Sequence, residues 1–247
     1  MSGKNIPTSS DQLYATEQPA TPFKFDHKVA AVFPDMIKRS VPGYEEIIQI
    51  IQQLAEKYIT QNSNAYDLGC SLGAASLALS YGNNNIDVKI IGIDNSEAMI
   101  NRCASNIQSF KLQTPIELVQ ADLQKTKIEN ASMVVLNYTL QFIPQTMREA
   151  VLKNIYQGMN KNGILILSEK IVFEDHRVNR MMIDLHHQFK RDNGYSELEI
   201  SQKRNALDTV LVPESKSVHI KRLQKVGFSH ASSLQQRFNF VSFIAIK

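Results

Sequence analysis

The sequence predicts an α/β fold built on a parallel β-sheet, and three observations support this prediction. Short apolar runs alternate with stretches that have helical spacing of apolar residues. The first run stops in a loop of small residues that opens a helix. A polar residue follows each of five successive runs. Ligands of open parallel sheets bind at the carboxyl ends of the strands, so the pattern predicts a ligand site at that edge.

The first predicted strand, residues 65–68, runs directly into the loop of small residues. This loop, residues 69–73, reads GCSLG and is followed by a helix-forming stretch at residues 74–79. Glycine allows a backbone to approach a ligand closely, and the N–H groups of a helix start can bind polar groups. The loop departs from the dinucleotide-binding fingerprint, because Ser71 stands where a second glycine is common. Taken alone, it indicates a ligand loop only weakly.

Four further strands and three helices are predicted around this loop. The strands are expected at residues 86–93, 116–121, 131–136 and 163–167, and the helices at residues 44–58, 97–110 and 144–159. The polar residues at the ends of the five strands are Asp67, Asp94, Asp122, Asn137 and Glu169. Because the ends of parallel strands meet at one edge, five polar residues in register favour a binding site there.

Asp94 is the strongest single candidate at this edge. It follows Gly69 at about the spacing that separates the glycine loop from a ribose-binding acid in dinucleotide folds. A carboxylate suits this task because it accepts hydrogen bonds from both ribose hydroxyls. Alternatively, Asp94 or Ser96 caps the helix at residues 97–110. Both roles stay open, since a ligand and a helix cap meet at the end of a parallel strand.

The N-terminal part of the chain has a different composition from the rest. Residues 1–22 are rich in small and polar residues and are predicted to form a flexible arm, whereas residues 23–247 form one domain. A short helix at residues 25–33 is expected to end at Pro34, with a polar loop at residues 35–44. Tyr44, at the end of this loop, either packs against a helix start or folds over the ligand.

The alternation changes after residue 170. Three helices without an intervening strand are predicted at residues 173–192, 196–207 and 214–226, as a helical insertion at about 171–226 over the ligand edge. The last two β runs, residues 229–237 and 239–246, are predicted to pair antiparallel at an edge of the sheet.

Two groups of polar residues in the predicted insertion are candidate site residues. His186 and His187 are adjacent and lack the i,i+4 spacing of metal ligands on a helix, so we expect them to pack or form hydrogen bonds and predict no metal site. Lys203 and Arg204 either form a solvated face or place Arg204 in the pocket, where its guanidinium would bind a carboxylate bidentately.

Composition excludes several classes of function. The 247 residues carry a net charge of only +3, which argues against binding nucleic acid through a basic surface. Two cysteines cannot form a disulfide framework, and we expect a reducing, cytoplasmic setting. Neither a signal peptide nor an apolar run of membrane-spanning length is expected from the sequence.

The order of these elements resembles the class I S-adenosylmethionine-dependent methyltransferase fold, a Rossmann-like sheet with a terminal antiparallel hairpin. In that fold the glycine loop touches the methionine part of the cofactor, the acid after the second strand holds the ribose, and the residue after the third strand neighbours the adenine. The resemblance therefore implies cofactor-binding roles for Gly69, Cys70, Ser71, Asp94, Asn95, Asp122 and Leu123.

Four segments carry a closer resemblance, to the carboxy-S-adenosyl-L-methionine synthase family. They are VFPDMIKRSVPGY (32–44), YDLGCSLGAAS (66–76), IENASMVVLNYTLQF (128–142) and NGYSELEISQKR (193–204). The resemblance implies a homodimer that converts S-adenosylmethionine and prephenate to carboxy-S-adenosylmethionine and phenylpyruvate. The product would serve an enzyme that carboxymethylates the tRNA wobble uridine. The resemblance also implies that Tyr44 and Asn137 lie at the cofactor. It implies that Arg204 binds the new carboxylate and is the catalytic residue.

The residues agree with such chemistry, because no Asp–His pair or cysteine nucleophile motif marks a protein base. The reaction would then depend on the substrates themselves, with the protein positioning groups and stabilising charge. Two alternatives stay open: an ordinary methyltransferase acting on a small molecule, and a non-catalytic cofactor-binding partner in tRNA modification. Asn137 is followed by Tyr138 and Thr139 and not by two prolines, which argues against methylation of base amino groups.

Overall fold

The computed structural model describes residues 10–19 and 21–247, and within them it has eight α-helices and eight β-strands. The helices are α1 (His27–Ser40), α2 (Tyr44–Tyr58), α3 (Ala74–Gly82), α4 (Glu97–Ile107), α5 (Gln145–Gly158), α6 (His176–Asp192), α7 (Glu197–Leu207) and α8 (Lys216–Val226). The strands are β1 (Asn64–Leu68), β2 (Lys89–Asp94), β3 (Ile116–Gln120), β4 (Ala131–Asn137), β5 (Met159–Val172), β6 (Glu214–Ser215), β7 (His230–Arg237) and β8 (Phe240–Ile246).

All eight strands belong to one sheet, in the order β3-β2-β1-β4-β5-β8-β7, with β6 paired to the end of β5. Strands β1 to β5 are parallel to one another, whereas β8 runs antiparallel between β5 and β7. The predicted parallel sheet and terminal antiparallel pair are therefore confirmed. The strand order reverses between β1 and β4, which is where open α/β sheets form a crevice for ligands.

Helices cover both faces of the sheet and bury its central strands. On one face, Ile51 of α2 and Leu79 of α3 pack with residues of β2, β4 and β5. On the other face, Leu152 of α5 and Leu223 of α8 pack with residues of β1, β4 and β5. Strands covered on both sides have nearly continuous apolar sequences, which explains why the central strands were recognisable.

Helix α1 is longer than predicted, because it continues through Pro34 to Ser40. The carboxylate of Asp26 caps its start by accepting the N–H groups of the second and third residues that follow. Pro34 itself is exposed, whereas Val32 and Met36 on either side of it are buried in an apolar cluster with α4 and α7. Packing on both sides of the proline thus offsets the backbone hydrogen bond that proline cannot make.

Strand β5 also continues past its predicted end and changes the place of Glu169. Antiparallel pairing with β8 extends as far as Lys170, so Glu169 lies inside the strand and does not reach the ligand edge. Its side chain is fully buried, and both carboxyl oxygens lack a hydrogen-bond partner within the described residues. Burial raises the pKa of Glu169 well above its usual range. The prediction that Glu169 belongs to the site is therefore wrong.

The three helices after β5 divide into two groups. Helices α6 and α7 lie over the carboxyl edge of the sheet with α1, where the sequence predicted an insertion. Helix α8 packs against α5 and β7 and therefore belongs to a face of the sheet. The short strand β6 separates α7 from α8, contrary to expectation, and its Glu214 forms ion pairs with Arg148 and Arg222.

Part of the predicted arm is firmly attached to the domain. Residues 1–9 and 20 lie outside the described residues, but Asp11 is only 1% exposed. Its carboxylate accepts a hydrogen bond from the hydroxyl of Tyr195 and lies 3.4 Å from the ammonium nitrogen of Lys203. A buried carboxylate needs such partners, so the expectation of flexibility is wrong at Asp11. Among the described residues, no helix combines the length and apolar character needed to cross a membrane.

Pro34→Ala should raise the free energy of unfolding by about 2 kcal/mol, because alanine restores a helical N–H donor and removes the clash of the ring. Urea unfolding followed by circular dichroism measures this change. Lys38→Ala, at another exposed position of α1, is the matched control and should stay within about 0.5 kcal/mol of wild type. Equal stability of Pro34→Ala and wild type would contradict the packing argument.

Candidate active site

A cavity of about 320 Å³ lies at the carboxyl edge of the sheet, beside the reversal between β1 and β4. Its size and its mixture of apolar and polar walls are typical of small-molecule sites. Nine of the ten predicted site residues line it: Tyr44, Gly69, Cys70, Ser71, Asp94, Asn95, Asp122, Leu123 and Asn137. The structure therefore brings together residues that are separated by up to about ninety positions in the sequence.

The loop after β1 is held against the end of β2 by its own backbone. The N–H groups of Gly69 and Cys70 both donate to the carbonyl oxygen of Ile93, at 2.7 and 2.9 Å. Gly69 has a φ of +79°, and a Cβ there would lie 2.3 Å from the hydroxyl oxygen of Thr139. Only glycine satisfies both conditions.

Asp94 connects this loop to the start of α4. One carboxylate oxygen accepts the N–H of Ser71 and the other accepts the N–H of Ser96, each at 2.9 Å. Ser71 adopts a left-handed backbone conformation with a φ of +52°. The cap of α4 is Ser96, whose hydroxyl accepts the N–H of Met99. Asp94 therefore organises the loop, and its oxygens keep further acceptor capacity for a ligand.

Cys70 is a buried thiol and is unsuited to act as a nucleophile. A hydrogen bond with Cys103 and then burial raise the pKa of Cys70 far above the usual thiol range. Only the thiolate is strongly nucleophilic, so the protonated side chain serves as a small wall of the cavity. This agrees with its interpretation as a loop residue.

Asp67, at the end of β1, is a buried acid at the floor of the cavity. The hydroxyl of Ser76 on α3 donates to its carboxylate at 2.6 Å. Burial nevertheless raises the pKa of Asp67 to about 6, and the hydrogen bonds from Ser76 only partly oppose this shift. The side chain thus titrates close to neutral pH.

Tyr44 and Asn137 face the same part of the cavity from different elements. The ring of Tyr44 stacks on Tyr138, with 6.3 Å between centroids and 28° between the ring planes. Burial and then the charge of Asp67 raise the pKa of Tyr44, so its phenol stays neutral. The amide oxygen of Asn137 is buried and has no hydrogen-bond partner within the described part of the chain. It offers an acceptor to a donor on a ligand.

Sequence reasoning missed an aromatic wall of the cavity. Phe25 packs edge to face against both Phe142 and Phe33, with 5.2 Å and 6.3 Å between the ring centroids. All three side chains line the cavity, as do Asp122 and Leu123. The phenylalanines come from segments distant in sequence, so no local pattern marked them.

Three lysines that the sequence did not single out as pocket residues also line the cavity. They are Lys170 of β5, Lys190 of α6 and Lys203 of α7. Burial and then the charges of Lys203, Lys170 and Arg204 lower the pKa of Lys190 to about 7. Burial lowers the pKa of Lys203 to about 8, although the Asp11 carboxylate partly opposes this shift. The available signal was their helical position, because Lys190 and Lys203 fall on the inward faces of α6 and α7.

Arg204 is the one predicted site residue that does not line the cavity of its own chain. Consecutive helical residues point about 100° apart, and α7 turns Lys203 inward and leaves Arg204 exposed. Within one chain, Arg204 therefore does not point into this pocket, and its predicted role at the new carboxylate stays a prediction.

His186 behaves as the sequence predicted. Its Nε2–H donates to the carbonyl oxygen of Ser40 at 2.8 Å, and its ring packs edge to face on Phe240. Burial and then the charges of Lys190 and Lys170 keep its pKa well below the usual histidine range. Within residues 10–19 and 21–247, no group of three or more histidine, cysteine or acidic side chains is arranged to hold a metal.

Comparisons with known proteins find one match to part of the chain and further matches to nearly its full length. A family model described as a methyltransferase domain matches residues 65–163. The carboxy-S-adenosyl-L-methionine synthase of Shewanella sediminis is 52% identical to this chain, over 97% of the chain and 99% of its own length. The protein with the same name from Vibrio parahaemolyticus is 54% identical over 91% of this chain and 92% of its own length.

Solved structures with the same fold include methyltransferases. Magnesium protoporphyrin IX methyltransferase from Synechocystis is 14% identical, with a TM-score of 0.59 over 86% of this chain and 87% of that chain. Human N-acetylserotonin methyltransferase is also 14% identical, with a TM-score of 0.59 over 90% of this chain but only 55% of that chain. At these identities the likeness concerns the fold, and it confirms the predicted class I methyltransferase sheet.

Asp67→Asn should flatten the dependence of stability on pH between pH 5 and 7. The folded-state pKa of Asp67, about 6, lies above the value of an unfolded aspartate, so the folded chain keeps a proton that the unfolded chain has lost. The free energy of unfolding of the wild type should therefore fall by about 1 kcal/mol through this group as the pH rises across that interval.

Urea unfolding at pH 5 and at pH 7 gives the change in the free energy of unfolding with pH for wild type and for Asp67→Asn. Glu56→Gln, which removes an exposed carboxylate from α2, is the control and should keep the wild-type slope. Parallel slopes for wild type and Asp67→Asn would show that Asp67 is already ionised at pH 5.

Proposed function

The chain belongs to the carboxy-S-adenosyl-L-methionine synthase family, and we propose that it forms carboxy-S-adenosyl-L-methionine with prephenate as the carboxyl donor. The observation that carries this proposal is sequence identity: about half of the residues are identical to those of several such synthases over nearly their full length. The enzyme is thus a transferase that uses S-adenosylmethionine. Prephenate, the dimer and the role in tRNA modification are proposals.

The cavity supports binding of S-adenosylmethionine by the predicted residues. We assign the loop residues Gly69, Cys70 and Ser71 to the methionine part, because their backbone is anchored on β2. Asp94 and Asn95 would hold the ribose, since the Asp94 oxygens keep lone pairs beyond their two backbone bonds.

The remaining walls of the cavity suit the other parts of this molecule. Asp122 and Leu123 would neighbour the adenine, and the phenylalanine wall supplies apolar surface for a planar ring. The unpartnered amide oxygen of Asn137 fits an ammonium or hydroxyl donor, and the neutral phenol of Tyr44 closes the same end. These features favour the methyltransferase mode of binding over a dinucleotide.

The proposed reaction needs no base from the protein. When bound, the sulfonium of S-adenosylmethionine acidifies its methyl group. Prephenate releases carbon dioxide and hydroxide as its ring becomes aromatic, the hydroxide removes a methyl proton as water, and the methyl carbon forms a bond to the carbon dioxide. The cavity agrees with a reaction in which neither Cys70 nor His186 acts as the base. Cys70 stays a protonated thiol, and His186 donates its Nε2–H to the carbonyl oxygen of Ser40. The protein would position the substrates and stabilise charge.

Family membership also supports proposals about partners and location. We propose that the product serves an enzyme that carboxymethylates the tRNA wobble uridine, that two copies form a homodimer, and that the protein works in the cytoplasm. The small net charge of +3 favours a role without direct contact to tRNA.

Within a homodimer, Arg204 would serve the pocket of the other copy. It is exposed on α7, next in sequence to a residue that lines the cavity of its own chain. A guanidinium in that position is free to bind the carboxylate of the product bidentately in a neighbouring subunit. This proposal keeps the predicted role of Arg204 at the new carboxylate and assigns it to the pocket of the other copy.

Incubation of the purified protein with S-adenosylmethionine and prephenate should yield carboxy-S-adenosylmethionine and phenylpyruvate in equal amounts. Mass spectrometry should detect a species in which one methyl hydrogen has been replaced by a carboxyl group. With carboxyl-labelled prephenate the label should appear in this product. Product formation without prephenate, or methylation of a small-molecule acceptor, would contradict the proposed function.

Mixed dimers test the proposed place of Arg204. Arg204→Ala and Asp94→Ala should each be inactive alone, because one lacks the product-binding guanidinium and the other lacks the ribose-binding acid. Co-expression with two different tags allows purification of the mixed dimer. If Arg204 acts on the other copy, one pocket is intact and the mixed dimer should have about half the wild-type activity.

The control is a mixed dimer of Arg204→Ala with the double variant Arg204→Ala, Asp94→Ala, in which neither copy supplies the guanidinium. It should stay inactive. An inactive dimer of Arg204→Ala with Asp94→Ala would contradict the role of Arg204 in the neighbouring pocket.

A further inference from the structure

The cavity has a cationic end that the proposed cofactor contacts leave unused. Lys170, Lys190 and Lys203 line this end from β5, α6 and α7, which are three elements that contribute no predicted cofactor residue to the cavity. The predicted cofactor residues instead come from the start of α2 and from the ends of β1 to β4 with the loops that follow them. The lysines and the predicted cofactor residues therefore reach the same cavity from different elements of the fold.

All three N–H donors of Lys203 have acceptors within the chain. Its ammonium nitrogen lies 3.4 Å from a carboxylate oxygen of Asp11, 3.0 Å from the hydroxyl of Ser40 and 3.4 Å from the hydroxyl of Tyr195. These three acceptors match the three N–H donors of a lysine. Lys203 thus fastens the N-terminal segment and α1 to α7, and it has no donor left for a ligand.

Lys170 and Lys190 are in the opposite situation. Within the described residues, neither ammonium group forms an ion pair or a hydrogen bond. Lys190 is nevertheless only 7% exposed, and its charged neighbours are Lys170, Lys203 and Arg204. A buried cation among other cations destabilises the folded chain unless an anion joins it. This cost is typical of a binding site and not of a structural cluster.

His186 helps to orient Lys190 and does not itself supply a positive charge to the cavity. The two residues lie four positions apart and therefore on the same inward face of α6. The hydrogen bond from the His186 ring to the Ser40 carbonyl fixes α6 against α1. This arrangement directs Lys190 into the cavity while His186 stays neutral.

We propose that Lys170 and Lys190 bind the carboxylates of the dianionic second substrate and hold it beside the cofactor. This inference rests on the proposed function, because prephenate carries two carboxylates. Charge supports this pairing, because two ammonium groups match two carboxylates. A dianion placed between the lysines and the sulfonium also keeps these positive charges apart. The carboxylate of the cofactor is the competing occupant, but its methionine part is assigned to the loop after β1.

Lys170→Met and Lys190→Met test this proposal. Each should raise the KM for prephenate by about tenfold or more, because a charge-assisted hydrogen bond to a carboxylate is lost. The Kd for S-adenosylmethionine, measured by titration calorimetry without prephenate, should change by less than about twofold. Lys190→Arg keeps the charge and should recover part of the lost affinity for prephenate.

Thermal unfolding separates a binding role from a structural one. Methionine fills a similar volume without a buried charge, so Lys190→Met should unfold at the wild-type temperature or above it. Lys221→Met, at an exposed position of α8 far from the cavity, is the matched control and should keep both wild-type constants. Loss of prephenate affinity with retained stability supports the proposal.

Three outcomes would overturn it. An unchanged KM for prephenate in both variants would show that the lysines do not contact this substrate. A weaker Kd for S-adenosylmethionine with an unchanged KM for prephenate would assign the lysines to the cofactor carboxylate. A wild-type protein that makes no product from prephenate would instead contradict the proposed function, and the inference that rests on it.

Discussion

The hydrogen bonds of the Asp94 carboxylate are the interaction on which the binding edge depends. By accepting from Ser71 and Ser96, this side chain joins the loop after β1 to the start of α4, across the ends of two neighbouring strands. The loop also donates two backbone N–H groups to Ile93, so β2 fixes its position independently of any ligand. The left-handed conformation of Ser71 is held by these bonds. The edge is therefore organised before a substrate arrives, which lowers the entropic cost of binding.

Charge divides the cavity that this edge supports into two parts. Acidic groups, Asp67, Asp94 and Asp122, come from the ends of β1 to β3, whereas the lysines come from β5 and the covering helices. A cationic sulfonium suits the acidic part and a dianion suits the other. Asp11 neutralises Lys203, whereas among the described residues no carboxylate forms an ion pair with Lys170 or Lys190, although Asp208 lies near enough to Lys170 to favour its charged form. The N-terminal segment thus determines which cations are available for binding.

The sequence predicted the sheet and the polar ends of β1 to β4 because those features are local. Apolar runs and the residues that follow them lie within a few positions of each other. The missed features depend on contacts between distant segments. Packing carries α1 through Pro34, pairing with β8 extends β5 past Glu169, and the side-chain partners of Asp11 lie in the loop before α7 and on α7 itself. Lys190 and Lys203 had a partial signal, since a charged residue on the inward face of an amphipathic helix needs an explanation.

The neighbouring residues Lys203 and Arg204 show how one helix can serve two requirements. Helix α7 must be fastened to its own domain, and Lys203 does this through Asp11, Ser40 and Tyr195. The same rotation that buries Lys203 leaves Arg204 exposed, so the chain cannot use both side chains in one pocket. A reaction that adds a carboxylate to the cofactor needs a cation for that group as well as for the donor. With Lys170 and Lys190 assigned to the donor, a second copy of the chain is the natural source of the remaining cation, and this links the proposed dimer directly to the chemistry.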